Sequence, residues 1–245
     1  LVLLDSHAII HRAYHALPDF ASSKGVPTGA LYGLTTMLIG IIEKFKPEYI
    51  VACYDLPQPT YRHIAYKEYK AGRKKTDDNL VLQLESSRKI FEAFGIPMYD
   101  MVGFEADDML GTIVQQVAYD RKKSDPDGAP VKVVIASGDM DTMQLITGDD
   151  VVVYTLKKGI KDIVIYDELA VIERFGFKPE FLPDYKGLRG DPSDNIIGIA
   201  GIGEKTASIL MNAFRTVEEM YALLDKRPEE FRAKMKSIGI TDRVC

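Results

Sequence analysis

Tryptophan is absent from this 245-residue chain, and cysteine occurs only as Cys53 and Cys245. Two thiols, one in an apolar strand pattern and one at the very end, make no disulfide framework and fit a reducing cytoplasm. No apolar run approaches the ~20 residues that cross a bilayer. No basic-then-apolar leader is visible either, so neither a membrane partner nor export is expected. The chain opens at Leu1, without methionine and already in a strand-like run, which predicts further residues before it. Positive charge is short too: 31 Lys and Arg face 36 Asp and Glu, for a net charge of −5. Such a balance ordinarily argues against a nucleic-acid partner, unless the acids are concentrated in one place. With 46% hydrophobic and 27% charged residues, the chain can bury the core of one large or two small domains.

The acids are indeed concentrated. G-F-E-A-D-D at 103–108 puts Glu105, Asp107 and Asp108 into four positions at the start of a helical run, Met109, Leu110, Ile113, Val114 and Val117. Acids suit a helix N-terminus, but three together repel unless a cation lies between them, and hard divalent ions bind through such oxygens. Continuous apolar runs at 1–5, 49–55 and 131–137 read as buried strands, with helical periodicity at 30–45, 80–95 and 105–120 between them. This alternation predicts an α/β fold with a mostly parallel central sheet covered by helices. Two strands finish on acids, Asp5 and Asp55, and the third leads into Asp139 and Asp141. Ligands bind at the carboxyl ends of such strands, so the acids predict a site there. Short strands are expected at 151–155 and 163–166 around a K-K-G-I-K turn, and an exposed loop at 120–130. Tyr32, Met37, Tyr119 and Met143 are read as core.

Two stretches explain how an acidic chain could hold a polyanion. Between Arg62 and Lys75 lie six bases (Arg62, Lys67, Lys70, Arg73, Lys74, Lys75) and one acid, Glu68, with Tyr61, Tyr66 and Tyr69 interleaved. Bases track phosphates and aromatic faces stack unpaired bases, as a single-strand channel requires. After about residue 167 the pattern is helical. L-R-G-D-P-S-D-N supplies Asp191 and Asp194, and G-I-A-G-I-G-E-K-T-A at 198–207 opens a helix near Glu204 behind Gly201 and Gly203. Glycine-exposed amides at a helix N-terminus suit a phosphate. His7, His11 and His15 fall four apart, but zinc needs converging ligands with partners behind them, and the flanking residues read as packing and phosphate contacts.

Y-K-A-G-R at 69–73, G-F-E-A-D-D, A-S-G-D-M-D, L-R-G-D-P-S-D-N and G-I-A-G-I-G-E-K-T-A, in this order, resemble the 5′→3′ exonuclease (flap endonuclease) domain of bacterial DNA polymerase I, across essentially the whole chain. Ser6, Ile197 and Arg189 stand where that family often has glycine, proline and threonine. The resemblance implies a PIN/resolvase-like nuclease domain over 1–166, with a basic helical arch at about 57–95. It further implies a helical helix-hairpin-helix domain for duplex DNA over 167–245, truncated at its C-terminus. All nine acidic positions of the family are filled: Asp5, Asp55, Glu105, Asp107 and Asp108 for a first metal ion, Asp139, Asp141, Asp191 and Asp194 for a second. The implied cofactors are two divalent ions, Mg²⁺ with Mn²⁺ as a substitute, and K⁺ at the helix-hairpin-helix.

By the same resemblance Lys70 and Arg73 steer the scissile phosphate, Tyr69 stacks on a base, and Arg12 contacts phosphate near Asp5. Lys67, Lys74 and Lys75 would track the strand, and Gly201, Gly203, Lys205 and Thr206 would hold duplex backbone. The implied partner is double-stranded DNA with a 5′ flap, nick or 5′ end, or an RNA–DNA hybrid. The expected protein is a nucleoid-associated, cytoplasmic monomer fused to a DNA polymerase. Rival readings are a free-standing flap endonuclease, a junction-binding module that no longer cuts, and a ribonuclease of the related PIN group. Setting the nine site acids aside leaves the remainder at +4, which removes the objection from net charge.

Overall fold

The computed structural model describes residues 1–124, 131–158 and 162–240, with the backbone alone at 118–124 and 156–158. The chain forms two compact units, Leu1–Ile64 with Lys74–Asp167, and Ala65–Arg73 with Glu168–Cys245.

The first is a sheet unit. Its strands β1 (Val2–Asp5), β2 (Ile50–Cys53), β3 (Met98–Tyr99), β4 (Val133–Ala136), β5 (Val151–Lys158) and β6 (Asp162–Tyr166) pair in the order β3-β2-β1-β4-β5-β6. All neighbours are parallel except β5 and β6. β1 and β4 are wholly buried, as their unbroken apolar runs require of central strands. The edge strand β6 alternates in exposure instead. Around the sheet run α1 (Ser6–Ala16), α2 (Gly29–Phe45), the short α3 (Tyr61–Ala65, whose last residue belongs to the other unit), α4 (Asp78–Ala93) and α5 (Ala106–Ser124). On α2, Ala30, Gly33, Leu34, Met37, Leu38 and Ile41 are buried, a stripe at helical spacing facing the core. Tyr32 lies off that stripe and is 57% exposed, edge-on to Phe20, so the expectation of a core residue fails there. Met37 and Met143 are core as expected, whereas the side chain of Tyr119 lies outside the described residues. So do 125–130 of the expected loop and 159–161 of the expected turn. In the stretch 57–95, α4 buries Leu80, Gln83, Ser87 and Phe91, so its second half is a core helix.

The second unit is helical: α6 (Glu168–Phe175), α7 (Leu182–Arg189), α8 (Glu204–Phe214), α9 (Val217–Lys226) and α10 (Pro228–Ser237). Val171, Tyr185, Leu188, Leu210, Met211, Phe214 and Phe231 are among its buried residues. Thr216 caps α9 through the amide of Glu219 at 3.1 Å, and Pro228 opens α10 where its missing N–H costs nothing. A two-residue ladder, β7 (Gly190–Asp191) with β8 (Ile196–Ile197), closes the loop that carries Asp191 and Asp194. Gly190 has φ +82°, and a Cβ there would come within 2.8 Å of the Ile196 carbonyl oxygen, so the loop demands glycine. Among the described residues no helix is long and apolar enough to cross a membrane.

Candidate active site

Each acid at the strand edge of the sheet unit is fixed by the start of a helix. Asp5 ends β1 and caps α1, accepting from the amide of Ala8 at 3.0 Å through Oδ1. Asp55, just past β2, accepts from the amide of Ala106, first residue of α5, at 2.7 Å. Asp139, after β4, caps the 3-10 turn Met140–Leu145 and accepts from the amide of Asp141 at 2.9 Å. Strand ends thus place the acids, and orphan helix amides orient them. Ser137 ties two of them together: its hydroxyl donates to Asp5 Oδ2 at 2.7 Å and accepts from the amide of Asp139 at 2.9 Å. Gly138 lets this turn lie on α1, since a Cβ there would sit 2.9 Å from the Ala8 carbonyl oxygen and 3.5 Å from Arg12 Cβ. Arg12 therefore stands on the helix face beside the acid-bearing turn.

Asp107 differs from these. Among the described residues no group donates a hydrogen bond to its carboxylate. Burial, and then the charges of Asp5, Asp139, Asp141 and Asp55, push its pKa well above the ordinary carboxylate range. Asp5 is pushed up to about 6, first by burial and then by Asp55 and Asp139, against the pull of Ser137 and the Ala8 amide. The neighbouring Cys53 thiol is raised to about 12 by burial and by Asp5, Asp107 and Asp55. Carboxylates that raise one another in this way share one field, and at neutral pH their ionised form needs an external positive charge. An all-oxygen set with an orphaned carboxylate fits hard divalent cations such as Mg²⁺.

Asp108, next in sequence, has its own cation. Arg62 grips it with both terminal nitrogens, at 2.6 and 2.7 Å, and the amide of Glu105 donates to it at 2.9 Å. Arg62 also lies 3.9 Å from Glu105 Oε2, so one guanidinium serves both acids. These contacts hold the Asp108 carboxyl below its usual range despite burial.

The helical unit neutralises its acids in the same manner. Lys186 lies 2.7 Å from Asp191 Oδ2, while the Ser193 hydroxyl and amide donate to Oδ1 at 2.6 and 3.0 Å. Burial would raise Asp191, but these partners hold it below the ordinary range. Asp194 accepts from Arg73 at 2.8 Å and from the Tyr69 hydroxyl at 3.1 Å, and its carbonyl accepts from the Lys70 amide at 3.0 Å. Asn195 extends the contact by donating to the Glu68 carbonyl at 2.8 Å. Tyr69 is accordingly only 6% exposed, with Lys70 Nζ 4.8 Å above its ring. The base-stacking role expected of Tyr69 does not match this arrangement, because its ring is covered and its hydroxyl is bound. The exposed rings of the segment are Tyr61 and Tyr66. Lys67, Lys74 and Lys75 are exposed, with Lys75 2.8 Å from Asp78. Gly203 is the exposed N-cap of α8, Gly201 turns the chain at φ +85°, Lys205 is exposed and Thr206 half-buried.

The histidine stripe on α1 does not converge. His7 Nδ1 accepts from the Asp55 amide at 3.2 Å, and the His11 and His15 rings are 6.3 Å apart. Sequence reasoning passed over Ser137, Lys186 and the pairing of Arg62. A serine before Gly-Asp and a lysine five residues before an acid carry no mark of their role.

A mostly parallel sheet with acids held at its strand ends, followed by a helical unit, is a resolvase-like architecture. A family model for the 5′-3′ exonuclease N-terminal resolvase-like domain matches residues 1–176, and one for the 5′-3′ exonuclease C-terminal SAM fold matches 177–239. The chain belongs to the 5′-3′ exonuclease family. It is 42% identical over 226 residues to DNA polymerase I of Bacillus caldotenax, covering 92% of this chain and 25% of that protein. To DNA polymerase I of Mycobacterium tuberculosis it is 35% identical over 244 residues, covering 97% of this chain and 26% of the relative. It thus spans about a quarter of the length of these relatives. The bacteriophage T5 flap endonuclease, crystallised with DNA and metal ions, shares the fold at a TM-score of 0.72 and 19% identity, covering 96% of this chain and 83% of its own.

Proposed function

We propose that this nuclease cuts 5′-flapped, nicked or 5′-ended duplex DNA, and RNA–DNA hybrids, with two divalent ions, as the 5′-nuclease part of a DNA polymerase I. The observation that carries the reading is Asp107, an orphaned carboxylate in the shared field of Asp5, Asp55, Asp139 and Asp141. Asp5, Asp55, Glu105 and Asp107 would hold a first Mg²⁺, with Mn²⁺ as a substitute, and Asp139 and Asp141 would serve a second. Bound divalent ions lower the pKa of an attacking water and neutralise charge on the phosphate. The chain's own groups do the positioning. Helix amides keep Asp5, Asp55 and Asp139 from turning away, and Ser137 holds Asp5 and the Asp139 turn in register. Asp191 and Asp194, each with a base beside it, would complete the second set of acids, some of their contacts running through water.

Lys70, Arg73 and Arg12 are assigned to the substrate's phosphates, with Lys67, Lys74 and Lys75 tracking the strand. Gly201, Gly203, Lys205 and Thr206 are assigned to duplex backbone at the start of α8, with K⁺ held by the preceding turn. Support comes from family membership and from the exposure of Lys205 and Gly203.

The decisive experiment is Mg²⁺-dependent cleavage of a 5′-flap duplex labelled at both ends, beside Asp107→Ala. Cleavage near the junction is expected, and its loss with chelator and in the variant. Tight binding without cutting would overturn the proposal in favour of a junction-binding module.

A further inference from the structure

Resting on the nuclease reading, we propose that Asp108 serves this site as a positioning residue: it anchors Arg62, and with it the root of the basic segment, instead of ligating a metal ion. A carboxylate offers about four acceptor positions. At Asp108 three are filled at short range, two by the guanidinium of Arg62 and one by the Glu105 amide. The Tyr61 hydroxyl stands 3.5 Å from the fourth. Such a two-pronged pair fixes direction as well as distance, which a lysine could not do. To bind a cation through both oxygens, Asp108 would have to loosen its contacts to Arg62 and to the Glu105 amide just before α5.

The rest of the root is stapled to the same place. The Tyr61 amide donates to the Gly103 carbonyl at 3.0 Å, and its ring lies 5.7 Å from that of Phe104. Arg62 stacks 4.7 Å over the Tyr61 ring. The Asp108 carbonyl accepts from Thr112 at 2.6 Å, so the anchor sits on a firm first turn of α5. Glu105, within 3.9 Å of the same guanidinium, is oriented by it. Asp107 and Asp108 are thus neighbours with separate duties, one without a hydrogen-bond donor among the described residues and one held by Arg62 and the Glu105 amide.

The test compares Asp108→Asn, Arg62→Gln, the double variant and Asp107→Asn. Mn²⁺ binding is followed by titration calorimetry, and kcat and KM are measured on a 5′-flap duplex. Mn²⁺ affinity should stay within about twofold of the parent in both Asp108→Asn and Arg62→Gln, and fall about tenfold or more in Asp107→Asn. The two single variants and the double should each lose about tenfold in kcat/KM, mostly through KM, because the second change removes nothing further. Weakened Mn²⁺ binding in Asp108→Asn, matching Asp107→Asn, would overturn the proposal, as would single losses that multiply. If Asp108→Asn does not fold, Arg62→Gln decides by itself. A tenfold loss with Mn²⁺ binding intact supports the proposal, and an unchanged enzyme refutes it. A parent that cuts no flap would defeat the nuclease reading while leaving the Mn²⁺ comparison to decide this one.

Discussion

In the sheet unit, Asp5 and Asp107 lie in one another's field with too few donors, and both are held above the ordinary carboxylate range. In the helical unit, Asp191 and Asp194 lie against Lys186 and Arg73, at 2.7 and 2.8 Å. Both regions came from the same kind of sequence, short runs with two or three acids. The difference lies in what the fold brings opposite them. Where backbone amides are the main donors, charge is left over for an ion to neutralise. Where a lysine or arginine arrives, the acid already has a positive charge beside it. Asp108 shows that the contrast runs between partners, not between units, since Arg62 gives it the helical unit's treatment one residue from Asp107.

The largest effect should separate the two kinds of acid directly. Asp107→Asn is expected to lower kcat on a 5′-flap duplex by roughly 10²–10³-fold, the scale of losing one charge-organising group. Asp194→Asn, whose charge is already balanced, should cost only about tenfold. Equal losses in single-turnover assays would erase the distinction.

A second measurement uses pH. Asp5 is raised from 3.8 to about 6, so its neutral form is favoured in the fold. Its contribution to stability is complete below about pH 4 and is lost as pH rises through 6, about 3 kcal/mol in all. Without divalent ions the melting temperature should carry this loss, worth roughly 5–10 °C. Mg²⁺ should recover more at pH 7.5 than at pH 5, and Asp5→Asn should flatten the metal-free curve. Calorimetric melts showing the same Mg²⁺ shift at both pH values would contradict the shared-field account.

The smallest effect belongs to the helical unit. Lys186→Met is expected to cost about 1 kcal/mol at pH 7.5, because the pair is partly screened by water. Asp191 has a lowered pKa, so its stabilisation is present above the ordinary carboxylate range and fades as pH falls. The gap between parent and variant should therefore close in acid. Denaturant melts at pH 7.5 and pH 3 check this, and a gap that widens in acid would mean that Lys186 packs and does not pair.

The strand-ending acids, the parallel sheet and the helix beginning at Glu204 were legible because each depends on local order. An apolar run that stops on Asp5 or Asp55 marks a strand edge wherever the chain later goes, and glycines before Glu204 mark a helix start. The partners were not legible. Arg62 meets Asp108 across 46 residues, and Tyr69 meets Asp194 across 125. A tyrosine among lysines reads the same in sequence whether its ring is offered to a base or buried beneath Lys70. Tyr32 misled for a related reason, since one position around α2 separates a core face from a wet one. By itself the sequence determined which carboxylates the protein owns and at which strand ends and helix starts they stand, because spacing and capping act within a few residues. Tertiary structure alone decided which of those charges are neutralised by the protein, because an ion pair depends on distance in space and is indifferent to distance along the chain.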